Sequence, residues 1–522
     1  MKLPQLEPLK LTTANPGQVA EYHFQIKLAQ LTGTNGPRDL FSAYTVDFFE
    51  KYAAAFATTI DQEIVIGYDG SRYHQSISVS AREYLRRMGI SVKELDGPVT
   101  VPEFMFTCHQ LSLPGCFFGR SHSPQQYVGL KCVINGEIAL DLLRKNGAEI
   151  DRPKNVPLKT LFGFLPRTLA PIIEAAITEN RMIHPQKMGA REKIATKDMR
   201  EAFFASLKKV TPLEKIDGNY IIDCRHSMAG EVWELVKSES KAEITLHNNK
   251  LDPTAPDRDP REIWDTLIEK YAPMAQAVFD HDADADRTFL VKTPGKGRER
   301  ILMNQEKAFA TGLLAEAEMR KADAYVLVQE RINLILLSSL ATLTETVYAT
   351  AQGEPPFFLG VLELLTKKQE IERISGADYT DIFFGREHPI CMKSPYQQAL
   401  WMMYWFTKNR DLPPFPETNL LKTQITMLTL NYPQRLEKVL QSSEALLEYF
   451  KKNFEIRYYS KIDGQNLIVT DKKDNTIVTS IRPSGTGRYS KVITEVGLGE
   501  ATEKERFAIL KKVNASIAKI IG

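Results

Sequence analysis

Cysteine is scarce in this chain and poorly spaced for chemistry. Cys108, Cys116, Cys132, Cys224 and Cys391 are the only five in 522 residues, and no Cys-x-x-Cys occurs. An odd, scattered set excludes a disulfide framework, disfavours a zinc site, and fits buried free thiols in a reducing compartment. Long apolar runs are missing as well. No stretch reaches the roughly 18 uninterrupted apolar residues of a membrane span, and Met1-Lys2-Leu3-Pro4-Gln5 lacks the apolar run of a signal peptide. The chain therefore reads as cytoplasmic, with no membrane partner. Nor is there an excess of either charge: Lys+Arg is 67 against Asp+Glu 65, a net +2. That offers nucleic acid no basic face, and short runs such as Lys296-Gly297-Arg298 read as solvated loops. Low-complexity segments and clear internal repeats are also absent.

What remains is an ordinary globular composition, 43% hydrophobic and 25% charged, in a chain too long for one core. At roughly 100–200 residues per domain, three or four domains are expected. Glu63-Ile64-Val65-Ile66-Gly67 is an apolar run stopped by glycine, a buried strand, and Ser78 to Met88 then reads as a helix. Strand, turn and helix recur at Asn219–Asp223, Ala275–Phe279 and Ala324–Val328, which argues for α/β layers. Segment 199–209, Asn304 to Lys321 and Ile335 to Ala351 read as helices. Pro413-Pro414-Phe415-Pro416 marks a loop. The last part changes character, with strands at Asn466–Asp471, Thr476–Ile481 and Lys491–Gly497. A capping box at Thr502-Glu503-Lys504-Glu505 then opens a helix carrying Ile509, Leu510, Val513, Ile517, Ile520 and Ile521 on one face.

The strongest chemical signal is Asp282-Ala283-Asp284-Ala285-Asp286-Arg287, between Ala277-Val278-Phe279 and Phe289-Leu290-Val291, which read as short strands. Three carboxylates at alternate positions crowd one side of the backbone and repel. A hard divalent cation such as Mg²⁺ would relieve that crowding, since no His or Cys joins the set. An EF-hand is excluded, because its glycine and glutamate positions hold Ala285 and Val291, or Arg287 and Thr293, in the two possible registers. The bland alternative is a solvated acidic turn.

Four further turns stand out. Gly119-Arg120-Ser121-His122-Ser123-Pro124 presents a serine in a Gly/Pro-bounded loop, yet the G-x-S-x-G elbow is absent, and alone it reads as a surface turn. Arg482-Pro483-Ser484-Gly485-Thr486-Gly487 lies between two strands and is a good anion cradle of hydroxyls, converging amides and one planar guanidinium. It is not a Walker A loop, which needs a Lys before the Ser/Thr. Gly33-Thr34-Asn35-Gly36-Pro37-Arg38 and Gly385-Arg386-Glu387-His388-Pro389 are weak signals on their own.

The order of these turns resembles the α-D-phosphohexomutase family, the phosphoglucomutases and phosphomannomutases, over nearly the whole chain. The Asp loop is similar to that family's D-x-D-x-D-R metal motif. Ser121-His122-x-Pro124 resembles S-H-N-P with Ser123 in place of Asn, and Gly129-Leu130-Lys131 resembles the G-[IV]-K that follows. Arg482-Pro483-Ser484-Gly485-Thr486 resembles the R-P-S-G-T phosphate loop, and Asp223-Cys224-Arg225-His226-Ser227-Met228-Ala229-Gly230 the opening D-C-G-N-G-x-A-G of the second domain. Departures occur at Arg120, where Ala is usual, and after Glu387, where His388-Pro389-Ile390-Cys391 replaces the usual sugar loop. Arg386 also stands at a position usually held by Gly or Phe. The family's G-[FL]-K is not clear near Phe357-Phe358-Leu359-Gly360.

The resemblance implies three related α/β domains with mixed sheets and a smaller C-terminal α+β domain around a central cleft, bounded at 1–210, 211–302, 303–430 and 431–522. It implies a phosphoserine at Ser121 on Mg²⁺ held by Asp282, Asp284 and Asp286. Lys131 would act as general acid/base, with His122, Arg38 and Arg287 beside the reacting centre. Glu387 and Arg386 would meet the sugar, and Arg482, Ser484, Gly485 and Thr486 the non-reacting phosphate. The implied activity interconverts hexose 1-phosphate and 6-phosphate through a hexose 1,6-bisphosphate, by a monomer or homodimer. The alternatives are a hexose 1,6-bisphosphate synthase, a phosphoglucosamine mutase, or a non-catalytic phosphosugar-binding or scaffold relative.

Overall fold

The computed structural model describes residues 8–10, 38–40, 43–121, 127–148, 158–166, 169–178, 187–255, 275–282, 284–292, 301–302, 305–328, 332–351, 353–368, 370–377, 381–385, 388–409, 411–427, 432–461, 464–483 and 489–521. The first unit is built on strand Ile64–Tyr68, parallel to Val92–Leu95 and Gly115–Phe118, with Tyr127–Asn135 antiparallel to the last of these. Ile64, Val65 and Ile66 are all buried, as an apolar run covered on both faces should be. Helices Ala43–Ile60 and His74–Arg87 cover one face and Val101–Leu111 the other.

The second unit is a five-stranded sheet. Strand Asn219–Asp223 lies between Glu243–His247 and Ala277–His281, both parallel to it, and Thr288–Lys292 and Ile301–Leu302 continue antiparallel. Its opening turn holds Arg225 and His226 at φ 52° and 56°, where the resembling family has Gly and Asn. Arg225 Nε donates to Asp280 Oδ1 at 2.6 Å, and its Nη2 to Asp280 Oδ2. That buried ion pair holds a left-handed backbone that an arginine does not favour by itself.

The third unit does not form a separate sheet. Its strands Thr346–Thr350, Ala324–Val328, Arg373–Ala377, Asp381–Gly385 and His388–Lys393 continue into the first unit through Phe162–Phe164, which pairs with both His388–Lys393 and Tyr127–Asn135. Thirteen strands result in one sheet. Glycine makes the junction possible. A methyl at Gly163 would overlap the Phe358 ring, and one at Gly376 the Phe357 ring, both from helix Glu354–Lys367. Phe357-Phe358-Leu359-Gly360 is therefore the buried face of a packing helix.

One expected helix is corrected. Ile335 to Ala351 is a helix only as Leu334–Ala341; after a turn, Thr346–Thr350 is a strand parallel to Ala324–Val328. The β-branched Thr346, Val347 and Thr350 favour the pleated sheet over a helix, where their χ1 freedom is lost. Helix Pro395–Asn409 leaves the third unit and packs beneath the second, with the Tyr396 ring 5.8 Å from Phe203, 5.9 Å from Trp233 and 5.7 Å from His281.

The last unit is an antiparallel sheet in the order Thr418–Thr426, Tyr489–Gly497, Thr476–Pro483, Gln465–Thr470, Glu455–Ser460. Strand Thr418–Thr426 joins this sheet although it precedes the boundary expected at 430. Helix Glu503–Ile521 begins at the expected capping box, Thr502 N donating to Glu505 Oε2 at 2.8 Å, and buries Leu510, Val513, Ile517 and Ile521. The opposite face of the sheet docks Tyr458, Ile468 and Val478 onto Leu334, Leu336 and Leu337 of the third unit. All five cysteines are buried and free. No helix among the described residues is long and apolar enough to cross a membrane.

Candidate active site

Ser121 follows strand Gly115–Phe118 at φ 54° and is 2% exposed. A left-handed serine is strained by about 1–3 kcal/mol and must be held by its surroundings. Asp69 helps to supply that hold from the end of the neighbouring strand. Its Oδ2 accepts from the Arg120 amide at 3.0 Å and its Oδ1 from the Ser71 amide at 2.9 Å. His74 Nδ1 lies 2.7 Å from Asp69 Oδ1, both side chains buried. Burial would raise the Asp69 carboxyl, but the His74 ring and the two amides outweigh it and hold it at about 2. The Arg120 side chain turns inward, Nε donating to Ser71 Oγ at 2.9 Å.

The three aspartates converge as their spacing suggests. One carboxylate oxygen from each of Asp282, Asp284 and Asp286 lies within 4.8 Å of the others, and all three residues are buried. The loop is tightened by Ala285 at φ 51°. Asp282 Oδ1 accepts from the amides of Asp286 at 3.0 Å and Arg287 at 3.1 Å, and Oδ2 accepts from Arg287 Nη1 at 3.2 Å. The first unit grips the loop, since Val101 N at the start of helix Val101–Leu111 donates to the Asp284 carbonyl at 3.1 Å. That helix end is fixed in turn by the Thr100–Glu103 capping box and by Arg200 Nε donating to Glu103 Oε1 at 2.6 Å.

Lys131 joins the two units. It faces Phe117 across adjacent strands, is 3% exposed, and its Nζ donates to Asp284 Oδ2 at 2.7 Å and Asp286 Oδ2 at 3.1 Å. Burial favours its neutral form, but Asp284, Asp286 and Glu354 prevail and raise its pKa. Burial, then the charges of Asp286 and Asp284, push Asp282 well above the carboxylate range. Burial acts the same way on Asp286, yet Lys131, Lys393 and Arg287 hold it well below.

The donor set fits a divalent cation. Asp284 Oδ1 and Asp286 Oδ1 are buried and accept no hydrogen bond. Two such oxygens beside a third carboxylate are an all-oxygen shell for a hard ion.

Not every expected residue can be placed. Arg38 opens strand Arg38–Leu40 opposite Gly129, two positions from Lys131, and only its backbone is described. Arg482 is half-buried near the end of strand Thr476–Pro483 in the last unit. His122, Arg386, Glu387, Ser484, Gly485 and Thr486 lie outside the described residues, as does the turn at 33–37. The sequence reading missed Asp69, His74, Glu354 and Lys393. Asp69 had one available signal, an acid directly after a buried strand.

Residues 29–150 match the family model for phosphoglucomutase/phosphomannomutase, alpha/beta/alpha domain I. A phosphoglucomutase/phosphomannomutase family protein from Burkholderia thailandensis superposes with a TM-score of 0.65 at 14% identity, covering 94% of this chain and 96% of its own. The chain carries the α-D-phosphohexomutase fold. A putative phosphomannomutase from Thermus thermophilus gives 0.64 at 16% identity, covering 92% of this chain and 98% of that one. Parafusin from Paramecium, a phosphoglucomutase in its open form, gives 0.63 at 14% identity, covering 100% and 98%. No curated protein matches the chain by sequence. The sequence match to the phosphohexomutase first domain spans Arg38, Ser121 and Lys131.

Proposed function

We propose that this chain is a Mg²⁺-dependent phosphohexomutase. The observation that carries the reading is the buried centre: three converging aspartates, two with an oxygen left without a hydrogen bond, tied to Lys131 on the strand that follows the Ser121 loop. Asp282, Asp284 and Asp286 would hold the metal, together with an oxygen at Ser121. When bound, the ion neutralises phosphoryl charge.

The chain's own residues do the rest. Ser121 carries a phosphoryl group. A hydroxyl of the bound hexose phosphate attacks phosphorus in line, the P–O bond to Ser121 Oγ breaks, and a hexose 1,6-bisphosphate forms. Lys131, charged at the start, gives its proton to Ser121 Oγ and then takes up the one released by the attacking hydroxyl. The bisphosphate reorients and returns its other phosphoryl to Ser121, reversing these transfers. Arg287 and Arg38 balance charge at the centre with His122 beside it. Arg482, Ser484, Gly485 and Thr486 hold the phosphate that is not reacting, and Glu387 with Arg386 contacts the sugar.

The test is phosphorus NMR with Mg²⁺, a catalytic amount of hexose 1,6-bisphosphate, and in turn the 1-phosphates of glucose, mannose, glucosamine and N-acetylglucosamine. Conversion of one to its 6-phosphate, abolished by Ser121→Ala, is the expected result. Turnover that survives Ser121→Ala would remove the phosphoserine mechanism. No conversion by folded, metal-bound protein would favour bisphosphate synthesis or a non-catalytic binder.

A further inference from the structure

A buried imidazole stands behind the serine loop. His74, at the start of helix His74–Arg87, is 1% exposed, and its Nδ1 lies 2.7 Å from Asp69 Oδ1. Its Nε2 is buried without a hydrogen-bond partner among the described residues. A side chain that only filled this space would do so at less cost as an apolar one, because a buried ring nitrogen without a partner loses its hydration for nothing. The contact with Asp69 is therefore the reason for the ring.

Asp69 passes the hold on by direct contacts. Its amide donates to the Phe118 carbonyl at 3.1 Å, and its Oδ2 accepts from the Arg120 amide at 3.0 Å. Arg120 then reaches back, its Nε donating to Ser71 Oγ at 2.9 Å, while the Ser71 amide donates to Asp69 Oδ1 at 2.9 Å. Backbone and side chain thus join the turn at 69–71 to the segment directly before Ser121. That turn is itself wedged. Gly70 has φ 78°, and a methyl there would lie 2.9 Å from Leu251 Cδ2 of the second unit and 3.1 Å from Pro98 Cβ.

We propose that His74, acting through Asp69, is a positioning residue for Ser121. It aims the carboxylate that fixes the Arg120 amide, and the fixed amide sets the next residue in its left-handed conformation. The consequence for phosphoryl transfer rests on the phosphohexomutase reading, whereas the hold on the Arg120 amide does not.

The experiment is hydrogen exchange of the full chain, resolved to the Arg120 amide by fragment mass spectrometry. His74→Leu removes the nitrogens and keeps apolar bulk; His74→Asn places an amide nitrogen near where Nδ1 stands. His74→Leu is expected to speed exchange at Arg120 by about tenfold, the worth of one weakened hydrogen bond to a charged group. His74→Asn should restore most of the protection. In an Asp69→Asn background His74→Leu should add little, because its effect passes through that carboxylate. A ring that only fills space would lower the unfolding midpoint in both single variants and leave Arg120 exchanging with its neighbours as before. That result, or additive effects in the double variant, overturns the proposal. Should His74→Leu not fold, His74→Phe keeps a ring without the nitrogens and carries the same test.

Turnover separates the two readings. Where the native protein converts a hexose 1-phosphate, His74→Leu should lower kcat by about 10–100-fold with KM little changed, as a misaimed reacting group does, and His74→Asn should recover most of the loss. Exchange that moves as stated in a protein without turnover would sustain the hold on Arg120 and remove the mutase reading. Turnover whose kcat His74→Leu leaves unmoved would keep the mutase reading and remove the positioning role.

Discussion

Replacing Lys131 with methionine probes the buried centre most directly. The lysine stem runs past Phe164, whose ring centroid lies 5.7 Å from Nζ, and Met fills most of that space. What disappears is the charge shared by Asp284 at 2.7 Å and Asp286 at 3.1 Å. Breaking a buried pair on one side costs about 3–5 kcal/mol, because the carboxylates stay buried without their partner. That is the expected loss in metal-free protein. A divalent ion on the triad supplies the missing charge and stabilises the fold by mass action, about 2.7 kcal/mol at 100 times its Kd. The variant lacks the ammonium that already neutralises these carboxylates and repels a cation, so it should gain more from metal than the native protein does. Urea unfolding in EDTA and in excess Mg²⁺ reads both effects. Turnover should also fall by about 10²–10⁴-fold, the usual worth of a general acid–base group. If Lys131→Met unfolds at the native midpoint in EDTA, or if Mg²⁺ stabilises both proteins equally, Lys131 is not the cation that holds the triad together.

The Asp69 carboxyl, held at about 2 against its ordinary 3.8, contributes stability above pH 4 that is lost as pH falls toward about 2. That is worth about 2 kcal/mol, and Asp69→Asn should lose it already at neutral pH and shift the acid unfolding midpoint upward. Glu495 behaves oppositely. Burial raises its carboxyl to about 7 against hydrogen bonds from the Leu334 amide and Thr418. Its folded state therefore prefers the proton, and stability falls as pH rises from about 4.5 to 7, by at most about 3 kcal/mol. Glu495→Gln should flatten that limb in denaturant midpoints measured across the range. Gly163→Ala should cost about 1–3 kcal/mol by forcing its methyl into the Phe358 ring, a thermal shift that Gly163→Ala with Phe358→Leu should partly recover.

The legible parts of this protein were those written in short spacings. Three Asp at alternate positions could be read as one shell, and they do converge. The Thr502–Glu505 box and the Leu510–Val513–Ile517 stripe were equally plain, because helix period and caps are local. Lys393 and Glu354 were invisible for the opposite reason. Each is unremarkable beside its own neighbours, and only the packing of a strand against the start of a helix makes them a pair. Asp69 acts on Arg120 across adjacent strands, which no local pattern encodes. Ile335 to Ala351 failed because a segment mixing apolar and hydroxyl residues satisfies helix and strand alike until Thr346, Val347 and Thr350 are weighed. The fusion of first and third units had no sequence signal, since it depends on partners far apart in the chain, Ile390 beside Phe162 and Phe358 on Gly163.

That partnership bears on how the chain is made. Strand Phe162–Phe164 leaves the ribosome long before His388–Lys393 exists to cover its outer edge, and before Phe358 arrives to seat on Gly163. Domains usually fold in order of synthesis. Here the first unit must wait with an open row of amides and apolar side chains, the kind of edge that pairs with a stranger. The strand next to it carries Lys131. A nascent chain released at 210 would thus hold Ser121 and Lys131 on an unfinished sheet, without the aspartates that Lys131 meets. Its exposed edge should be covered only once residues up to 393 have emerged.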